Sequence, residues 1–202
     1  MLVYKESPPS LMPLDQLTRS FREWFARDPW QERWRCPRCN AFSDFGALGR
    51  FAEYREAGCP TCHTALLPYW TDERVLEYYF AATRQPGFAQ VLGFDETGQP
   101  QSWLWGYALK ANADFADFPE GGFYGDHIGV APRYRGEDSR VILREAQKIL
   151  EAQGFTYFVV RTHRAASYVV KLFCQVGFAP LAHESAEPDR HYFAYDPRGR
   201  LA

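Results

Sequence analysis

Two closely spaced pairs of cysteines are the residues whose type and spacing most directly imply chemistry. They are Cys36, Cys39, Cys59 and Cys62, and nineteen residues separate the pairs. A gap of two residues lets one tight turn present two thiolates to the same metal ion, and the second pair completes a tetrahedron. Four thiolates fill the coordination shell of zinc, so no position remains for water or substrate. The spacing therefore predicts a structural zinc site in a small zinc-ribbon-like insert, residues 34–67.

A pair of cysteines two residues apart can also be a redox-active dithiol. Such a dithiol needs only one pair, usually at the start of a helix, and neither pair here opens a helical pattern. His63 could replace a cysteine as ligand, although the doubled pair does not require it. The fifth cysteine, Cys174, lies in an apolar stretch and is expected to be a small buried residue.

Composition limits the classes of function. The chain has 202 residues, of which 46% are hydrophobic, enough for one ordinary domain with a small insert. A net charge of −2 gives no reason to expect nonspecific binding of nucleic acid or membranes. Residues 1–10 lack the apolar run of a secretory signal, and no stretch is long and apolar enough to span a membrane. Paired metal-binding cysteines without a signal are typical of the cytoplasm, which is the expected location.

Hydrophobic periodicity predicts a mixed α/β fold in the order helix, helix, three strands, helix, strand, helix and two strands. The predicted helices are 14–27, 71–83, 139–153 and 165–176. The predicted strands are 88–94, 101–109, 124–130, 155–161, 178–182 and 191–195. This order indicates one mixed sheet with helices on both faces, formed by residues 1–202 as a single domain with the insert.

Two blocks of sequence resemble the GNAT acyltransferase superfamily. Residues 128–136, Ile-Gly-Val-Ala-Pro-Arg-Tyr-Arg-Gly, are similar to the end of the family's fourth strand and the start of its pyrophosphate loop. Residues 172–178, Leu-Phe-Cys-Gln-Val-Gly-Phe, are similar to the family's helix that ends in Gly-Phe. The resemblance covers about residues 71–195. If residues 1–4 are the first strand, the cysteine segment is an insertion between the family's first two helices.

The resemblance implies an acyl-CoA co-substrate bound by backbone groups. A strand that ends at a helix N-terminus presents unpaired N–H groups and a positive dipole end, where a pyrophosphate can dock. The backbone of the strand would align the pantetheine arm, and the turn after it would hold the pyrophosphate. The implied cofactor-binding residues are Ile128, Val130, Arg135, Gly136, Glu137, Asp138, Ser139 and Arg140.

The chain departs from the family pattern in this turn. Asp138 and Arg140 stand where the family has small residues. Asp138 puts a carboxylate near the expected phosphate, or it could instead be the N-cap of the following helix. Arg140 could supply a replacement phosphate contact or be a solvated helix residue.

A second departure concerns the catalytic acid. Many members of the family carry a tyrosine where this chain has Phe173, and a phenyl ring cannot donate a proton. Ala166 likewise replaces an asparagine of the family. Tyr168 is nearby, but it lies more than one helical turn earlier.

The candidate catalytic bases follow from the same resemblance. The family often places an acidic base on its fourth strand, which makes Asp126 the first candidate and its neighbour His127 an alternative. His163, just after the fifth strand, is the second candidate. A surface or hydrogen-bonded role is the simpler explanation for each. An acidic loop at residues 114–120 could attract a cationic amine or be merely solvated.

The leading functional hypothesis is an acyl-CoA-dependent N-acyltransferase that transfers an acetyl group to an unknown amine. The alternative is a catalytically inactive GNAT-like module whose zinc ribbon recognises protein or nucleic acid. Basic and aromatic residues near the ribbon favour this alternative: Trp30, Arg33, Trp34, Arg35 and Arg38. A dithiol oxidoreductase is a third possibility.

Overall fold

The computed structural model describes residues 2–25, 34–39, 58–163, 166–183 and 190–201, which fall into two compact units. The first unit comprises Met1–Met12 and Phe80–Ala202, and the second comprises Pro13–Tyr79. In the described part of the chain, no helix is both long enough and apolar enough to cross a membrane.

A seven-stranded mixed sheet forms the frame of the first unit. Its strands are β1 (Val3–Glu6), β4 (Ala89–Phe94), β5 (Pro100–Ala108), β6 (Gly122–Val130), β7 (Tyr157–His163), β8 (Ala179–Leu181) and β9 (Arg190–Tyr195). They lie in the order β1-β4-β5-β6-β7-β9-β8. Only β6 and β7 are parallel neighbours, and every other pair is antiparallel. A parallel pair needs a crossover connection, which helix α3 (Glu137–Ala152) supplies.

Helices α3 and α4 (Ser167–Gln175) cover one face of this sheet. The apolar residues of α3 recur at helical spacing and are buried against β1, β4, β5 and β6. In α4, Phe173 is buried and packs on Phe178 and Phe193. Cys174 lies on the outer face of the same helix and is exposed. The expectation that Cys174 is buried was therefore wrong, because the buried face of α4 passes through its neighbour Phe173.

The opposite face of the sheet carries an aromatic cluster within the first unit. Its buried members are Leu109, Phe115, Tyr124, Tyr157, Val159, Tyr192 and Ala194. A loop between β5 and β6 contributes Phe115 through a short 3-10 turn, Ala113–Phe115. Trp103 and Trp105 on β5 are also fully buried, so these two rings are packing features of the sheet.

The second unit contains α1 (Leu14–Ser20), a π-helical turn Phe21–Phe25, and the small strands β2 (Trp34–Arg35) and β3 (Leu67–Pro68). Helix α2 (Asp72–Thr83) begins in this unit. The backbone N–H of Arg74 donates to the Thr71 hydroxyl over 3.2 Å, so Thr71 caps the N-terminus of this helix.

The predicted order of helices and strands is confirmed from α2 to β9, and α1 is present as well. The structure adds β1 before α1 and the short strands β2 and β3 between α1 and α2. The predicted helix 14–27 differs from the structure, because the α-helical part ends at Ser20 and a π-helical turn follows it. Residues 26 and 27 of that prediction lie outside the described part of the chain, as does most of the predicted insert.

Candidate functional site

Strands β6 and β7 pair for only part of their length. Their parallel ladder runs from Gly122–Tyr157 to Gly125–Val160, although β6 continues to Val130 and β7 to His163. Beyond the last rung, β6 pairs only with β5, and β7 pairs only with β9. The facing edges of the two strands therefore diverge, and a V-shaped gap opens after Gly125 and Val160.

A β-bulge lies at the vertex of this gap. Trp105 of β5 faces His127, and the next residue, Gly106, faces Gly125, so Asp126 has no residue opposite it on β5. A bulge of this kind inserts one extra residue and re-aims its side chain. Gly106 permits the close approach, because a Cβ there would lie 1.9 Å from the Tyr124 carbonyl oxygen. The bulge therefore sets the direction of the Asp126 side chain.

Asp126 and Arg161 flank the vertex from opposite sides. Each is the first residue of its strand after the last rung of the parallel ladder. Burial raises the pKa of Tyr107, and so does the nearby negative charge of Asp126, while Arg161 opposes the shift. Burial also raises the pKa of Tyr124 well above its usual range, with Arg161 lowering it and Asp126 raising it. Both phenols are therefore protonated at neutral pH and lie within electrostatic reach of both charges.

His127 packs within the sheet. The residue is half-buried, as Asp126 is, but its Nε2 atom is buried and its ring stacks on Trp105, with ring centroids 4.5 Å apart. Burial alone lowers the pKa of His127 to about 3, so the ring is neutral in the folded protein. His127 is therefore a packing residue of the sheet, which leaves Asp126 as the candidate base on β6.

The backbone of β6 presents hydrogen-bonding groups to the gap. The N–H of Ala131 donates to the Gln101 carbonyl on the β5 side over 2.8 Å. Because successive residues of a strand point their backbone groups to alternate edges, Ile128 and Val130 direct theirs away from β5. The Nε of Arg135 donates to the Val130 carbonyl over 3.2 Å, in agreement with this orientation.

The turn after β6 leads into the N-terminus of α3. Gly136 has a φ of 96° and caps the helix without a side-chain hydrogen bond, and Glu137 is the first helical residue. Asp138 lies inside the first turn, so its alternative role as the N-cap is wrong. The Tyr4 hydroxyl donates to the Asp138 carbonyl over 3.3 Å. Burial, aided by the Asp138 charge, raises the pKa of Tyr4 to about 12.

Two other residues of the turn complete the predicted set. Ser139 is buried and Arg140 is half-buried in the first turn of α3. A helix N-terminus favours anions through its N–H groups and its dipole, whereas Glu137 and Asp138 oppose them. The turn therefore has N–H groups that attract phosphate and two carboxylates that repel it.

The remaining catalytic candidates lie apart from Asp126 along the chain. His163 is buried at the end of β7, and its carbonyl accepts the N–H of Ala166 over 2.9 Å. Alternation along the strand places His163 on the same face as Arg161, two residues further from the vertex. Tyr168 is 50% exposed on the first turn of α4. Phe173 is buried among aromatic rings, so no phenol occupies the place of the family's acid.

The four paired cysteines come together in the second unit. Their Sγ atoms all lie within 4.8 Å of one another. The Sγ atoms of Cys36 and Cys62 are 3.3 Å apart, and those of Cys39 and Cys59 are 3.5 Å apart. Tetrahedral zinc with bonds of about 2.3 Å to sulfur requires sulfur–sulfur distances of about 3.8 Å. The cluster fits a zinc ion, and its distances are too long for disulfide bonds.

Backbone amides support the cysteine sulfurs as they do in metal sites. The N–H of Cys39 donates to Cys36 Sγ over 3.5 Å, and that of Thr61 donates to Cys59 Sγ over 3.4 Å. Hydrogen bonds with the hydroxyl and backbone of Thr64 lower the pKa of Cys62 to about 6. A thiol that ionises readily is suited to metal binding.

The residues around the cluster have structural roles. His63 is exposed and adopts a left-handed conformation with a φ of 55°. Its N–H donates to the Cys59 carbonyl over 2.8 Å, which closes the turn. Trp34 packs on the cluster, and Arg38 is exposed. Trp30 and Arg33, which were part of the predicted basic and aromatic set, lie outside the described residues.

Comparison with solved structures identifies the fold. A GNAT superfamily phosphinothricin acetyltransferase from Sinorhizobium meliloti, in complex with acetyl-CoA, matches with a TM-score of 0.57 and 14% identity, covering 96% of this chain and 86% of that one. A spermidine N-acetyltransferase variant from Vibrio cholerae matches with a TM-score of 0.57 and 11% identity, covering 96% and 92%. A GNAT family acetyltransferase from Listeria monocytogenes matches with a TM-score of 0.56 and 9% identity, covering 96% and 93%.

At these identities the likeness shows the fold alone, and the chain has the fold of the GNAT acetyltransferases. No protein-family sequence model matches the chain, and no curated protein sequence does.

No local pattern points to Arg161 or Tyr124 as site residues, and Tyr107 is visible in the sequence only as part of the aromatic run of β5. The charge that closes the apolar run 157–160 indicates only that Arg161 needs a polar surrounding, as a cation at the end of a central strand does. The role of the two tyrosines depends on the bulge and on strand neighbours, which local sequence does not reveal.

Proposed function

We propose that the chain is an acyl-CoA-dependent N-acyltransferase that transfers an acetyl group to an amine. The observation that carries this proposal is the gap between β6 and β7, which opens after Gly125 and Val160 and has the Asp126 carboxylate at its vertex. The extended, thiol-bearing arm of CoA would lie in this gap like an added strand. It would form hydrogen bonds with the backbone groups of Ile128 and Val130.

The turn before α3 would hold the pyrophosphate of CoA. Gly136 leaves the backbone accessible, since a Cβ built there meets nothing within 4 Å. The N–H groups of the first turn, from Glu137 to Arg140, face the same end of the helix. Arg135 and Arg140 would offset the two carboxylates of the turn and contact phosphate oxygens.

Asp126 would act as the general base. Its carboxylate takes a proton from the acceptor ammonium, and the amine nitrogen then attacks the thioester carbonyl carbon. The attacking nitrogen releases its second proton to solvent, the carbon–sulfur bond breaks, and the CoA thiolate leaves and takes up a proton. Because Phe173 cannot supply that proton, it would come from solvent or from Tyr168 near the start of α4. Positioning of the two reactants supplies much of the rate. His163 is the reserve candidate for the base.

For the second unit we propose a structural zinc ion held by Cys36, Cys39, Cys59 and Cys62. Four thiolates saturate the ion, so zinc would stabilise the segment and take no part in acyl transfer. We further propose that residues 34–67 are an insert in a GNAT-like domain that spans the rest of the chain.

The function is tested by incubating the zinc-loaded chain with acetyl-CoA and a panel of amines while the release of CoA thiol is followed. We expect acceptor-dependent thiol release, together with an acceptor whose mass has gained one acetyl group. Absence of release with every amine, in a chain that retains zinc, would contradict the proposal and favour the inactive binding module.

A further inference from the structure

A tyrosine of the edge strand β1 reaches the first turn of α3. The half-buried Tyr4 donates its hydroxyl hydrogen to the Asp138 carbonyl over 3.3 Å, although the two residues are 134 positions apart in sequence. A carbonyl oxygen has two lone pairs, so it can accept this bond in addition to its helical one. Helix α3 packs on β1 and β4 here, and the Tyr4 contact ties the turn before α3 to the edge of the sheet.

A glycine on the neighbouring strand makes room for this tyrosine. Tyr4 lies opposite Gly93 of β4 in the antiparallel pair. A Cβ at Gly93 would lie 2.7 Å from Tyr4 Cε1, so the ring covers the place where another residue would have its side chain. Glycine weakens the interior of a strand and is found where another group approaches closely. The pairing with Gly93 therefore lets the Tyr4 ring lie against β4 with its hydroxyl at α3.

The carbonyl that Tyr4 contacts belongs to the same peptide group as the N–H of Ser139. Ser139 is the third residue of α3, and the N–H groups of a first turn have no acceptor within the helix. Hydrogen bonds in a chain polarise one another, so a donor to the carbonyl strengthens the N–H of that peptide as a donor. Burial, aided by the Asp138 charge, raises the pKa of Tyr4 to about 12, so the hydroxyl keeps its proton at neutral pH.

We infer that Tyr4 is a positioning residue for the phosphate end of the co-substrate, acting through the peptide between Asp138 and Ser139. Its hydroxyl holds the Asp138 carbonyl in place, and the Ser139 N–H then donates more strongly to a pyrophosphate oxygen. This inference rests on the proposed binding of CoA. The turn needs such support, because Glu137 and Asp138 place two carboxylates at a helix end that otherwise attracts anions.

The test is calorimetric titration of the zinc-loaded full chain with CoA and with pantetheine, which lacks the phosphates. Tyr4→Phe keeps the ring and removes only the hydroxyl. We expect the variant to bind CoA roughly two- to ten-fold more weakly, which is the range for one hydrogen bond, and to bind pantetheine with unchanged affinity. A purely structural role would change both affinities or neither. Either of those two results would overturn the inference.

A second tyrosine contacts the opposite end of the same helix and supplies the matched control. Tyr195 of β9 lies beside Glu151, about 20 Å along α3 from Asp138. Burial raises the pKa of Tyr195, and so do the charge of Glu151 and a hydrogen bond with it. Tyr195→Phe removes a hydroxyl from the far end of α3 and should leave the affinity for CoA unchanged.

The variant Asp138→Ala separates the carbonyl of Asp138 from its carboxylate, because it removes only the carboxylate. Tyr4→Phe should weaken CoA binding by the same factor in the Asp138→Ala chain as in the unaltered chain. A loss that disappears in the Asp138→Ala chain would assign the effect to the carboxylate and overturn the route through the peptide.

Acetyl transfer, measured in parallel, distinguishes this inference from the proposed function. Weaker binding of CoA by Tyr4→Phe, in a chain that transfers no acetyl group, would support the positioning role and contradict the acyltransferase. Acetyl transfer with the same KM for acetyl-CoA in Tyr4→Phe and the unaltered chain would support the acyltransferase and contradict the positioning role.

Discussion

Asp126 differs from its neighbours on β6 because the bulge leaves it without an opposite residue on β5. Family resemblance indicates Asp126 as the base. Strand alternation alone does not show whether Asp126 or His127 faces the gap. The bulge breaks that alternation and the buried stack on Trp105 removes His127 from consideration. At the residue scale the bulge and the stack on Trp105 support Asp126 as the proposed base, and its role stays a prediction.

Replacing Asp126 tests its role as the base. Asp126→Asn should lower kcat for acetyl transfer roughly 100- to 10,000-fold, because an amide cannot accept the proton, while affinity for acetyl-CoA stays the same. Steady-state kinetics and calorimetry measure the two effects separately. Asp117→Asn, an exposed change in the β5–β6 loop, is the control. An unaltered kcat in the Asp126 variant would assign the base to another group such as His163.

The buried ring of His127 makes stability depend on pH. Its pKa is about 3 in the folded chain against 6.5 for an ordinary histidine, so the unfolded state binds the extra proton between these values. The contribution of His127 to the free energy of unfolding should be largest above pH 6.5. It should fall by about 1.4 kcal/mol per pH unit as the pH drops toward 3. Urea unfolding at several pH values measures this slope.

Two variants isolate the contribution of His127 from that of the carboxylates. His127→Phe keeps an aromatic ring on Trp105 and should show a shallower decline of stability between pH 6.5 and 4. His191→Phe, at an exposed position, should decline like the unaltered chain. The same slope in all three proteins would show that His127 is not held neutral by burial.

At the scale of elements, features that depend on a few neighbouring residues, such as helix caps, can be predicted from the sequence. The Thr71 N-cap of α2 and the glycine that ends α3, Gly154 with a φ of 95°, follow from capping rules. The π-helical turn Phe21–Phe25 does not follow from such rules, since it depends on how that segment packs. The exposed position of Cys174 escaped prediction because neighbouring positions of an amphipathic helix differ sharply in burial.

In the turn before α3, helix N–H groups attract phosphate and two carboxylates repel it. Substitutions in this turn should therefore change the affinity for CoA. Asp138→Ala should tighten CoA binding about two- to five-fold, because a negative charge leaves the phosphate end of the helix. Arg135→Gln should weaken it roughly 10-fold by removing a cation. Glu145→Ala, two turns further along α3, is the matched control. Calorimetric titration with CoA would contradict this account if removal of Asp138 weakened binding.

The cysteine segment should owe its order to a metal ion. We expect about one zinc per chain by elemental analysis, and near zero in a Cys36→Ser/Cys62→Ser variant, because two remaining thiolates cannot complete a tetrahedron. Cys174→Ser should retain the ion. Chelation should also speed amide exchange in residues 58–68. A chain without zinc whose four thiols titrate readily would instead support a redox dithiol.

At the scale of the whole molecule, the fold was predictable and the site only in part. The order of helices and strands and two short sequence blocks were enough to indicate a GNAT-like sheet, and the solved structures match that architecture. The point at which the β6–β7 ladder ends is a property of strands more than thirty residues apart in sequence, so no local pattern reveals it. Arg161 lies directly after that point, and only the pairing of the two strands shows it.

The most direct test of the central claim is calorimetric titration of the zinc-loaded chain with acetyl-CoA and with CoA. The gap between β6 and β7 and the turn before α3 predict saturable binding of both, with one molecule per chain and weaker binding by Arg135→Gln. No binding of either ligand at saturating concentration, by a chain with native circular dichroism, would show that the gap does not receive CoA and would contradict the proposed acyltransferase.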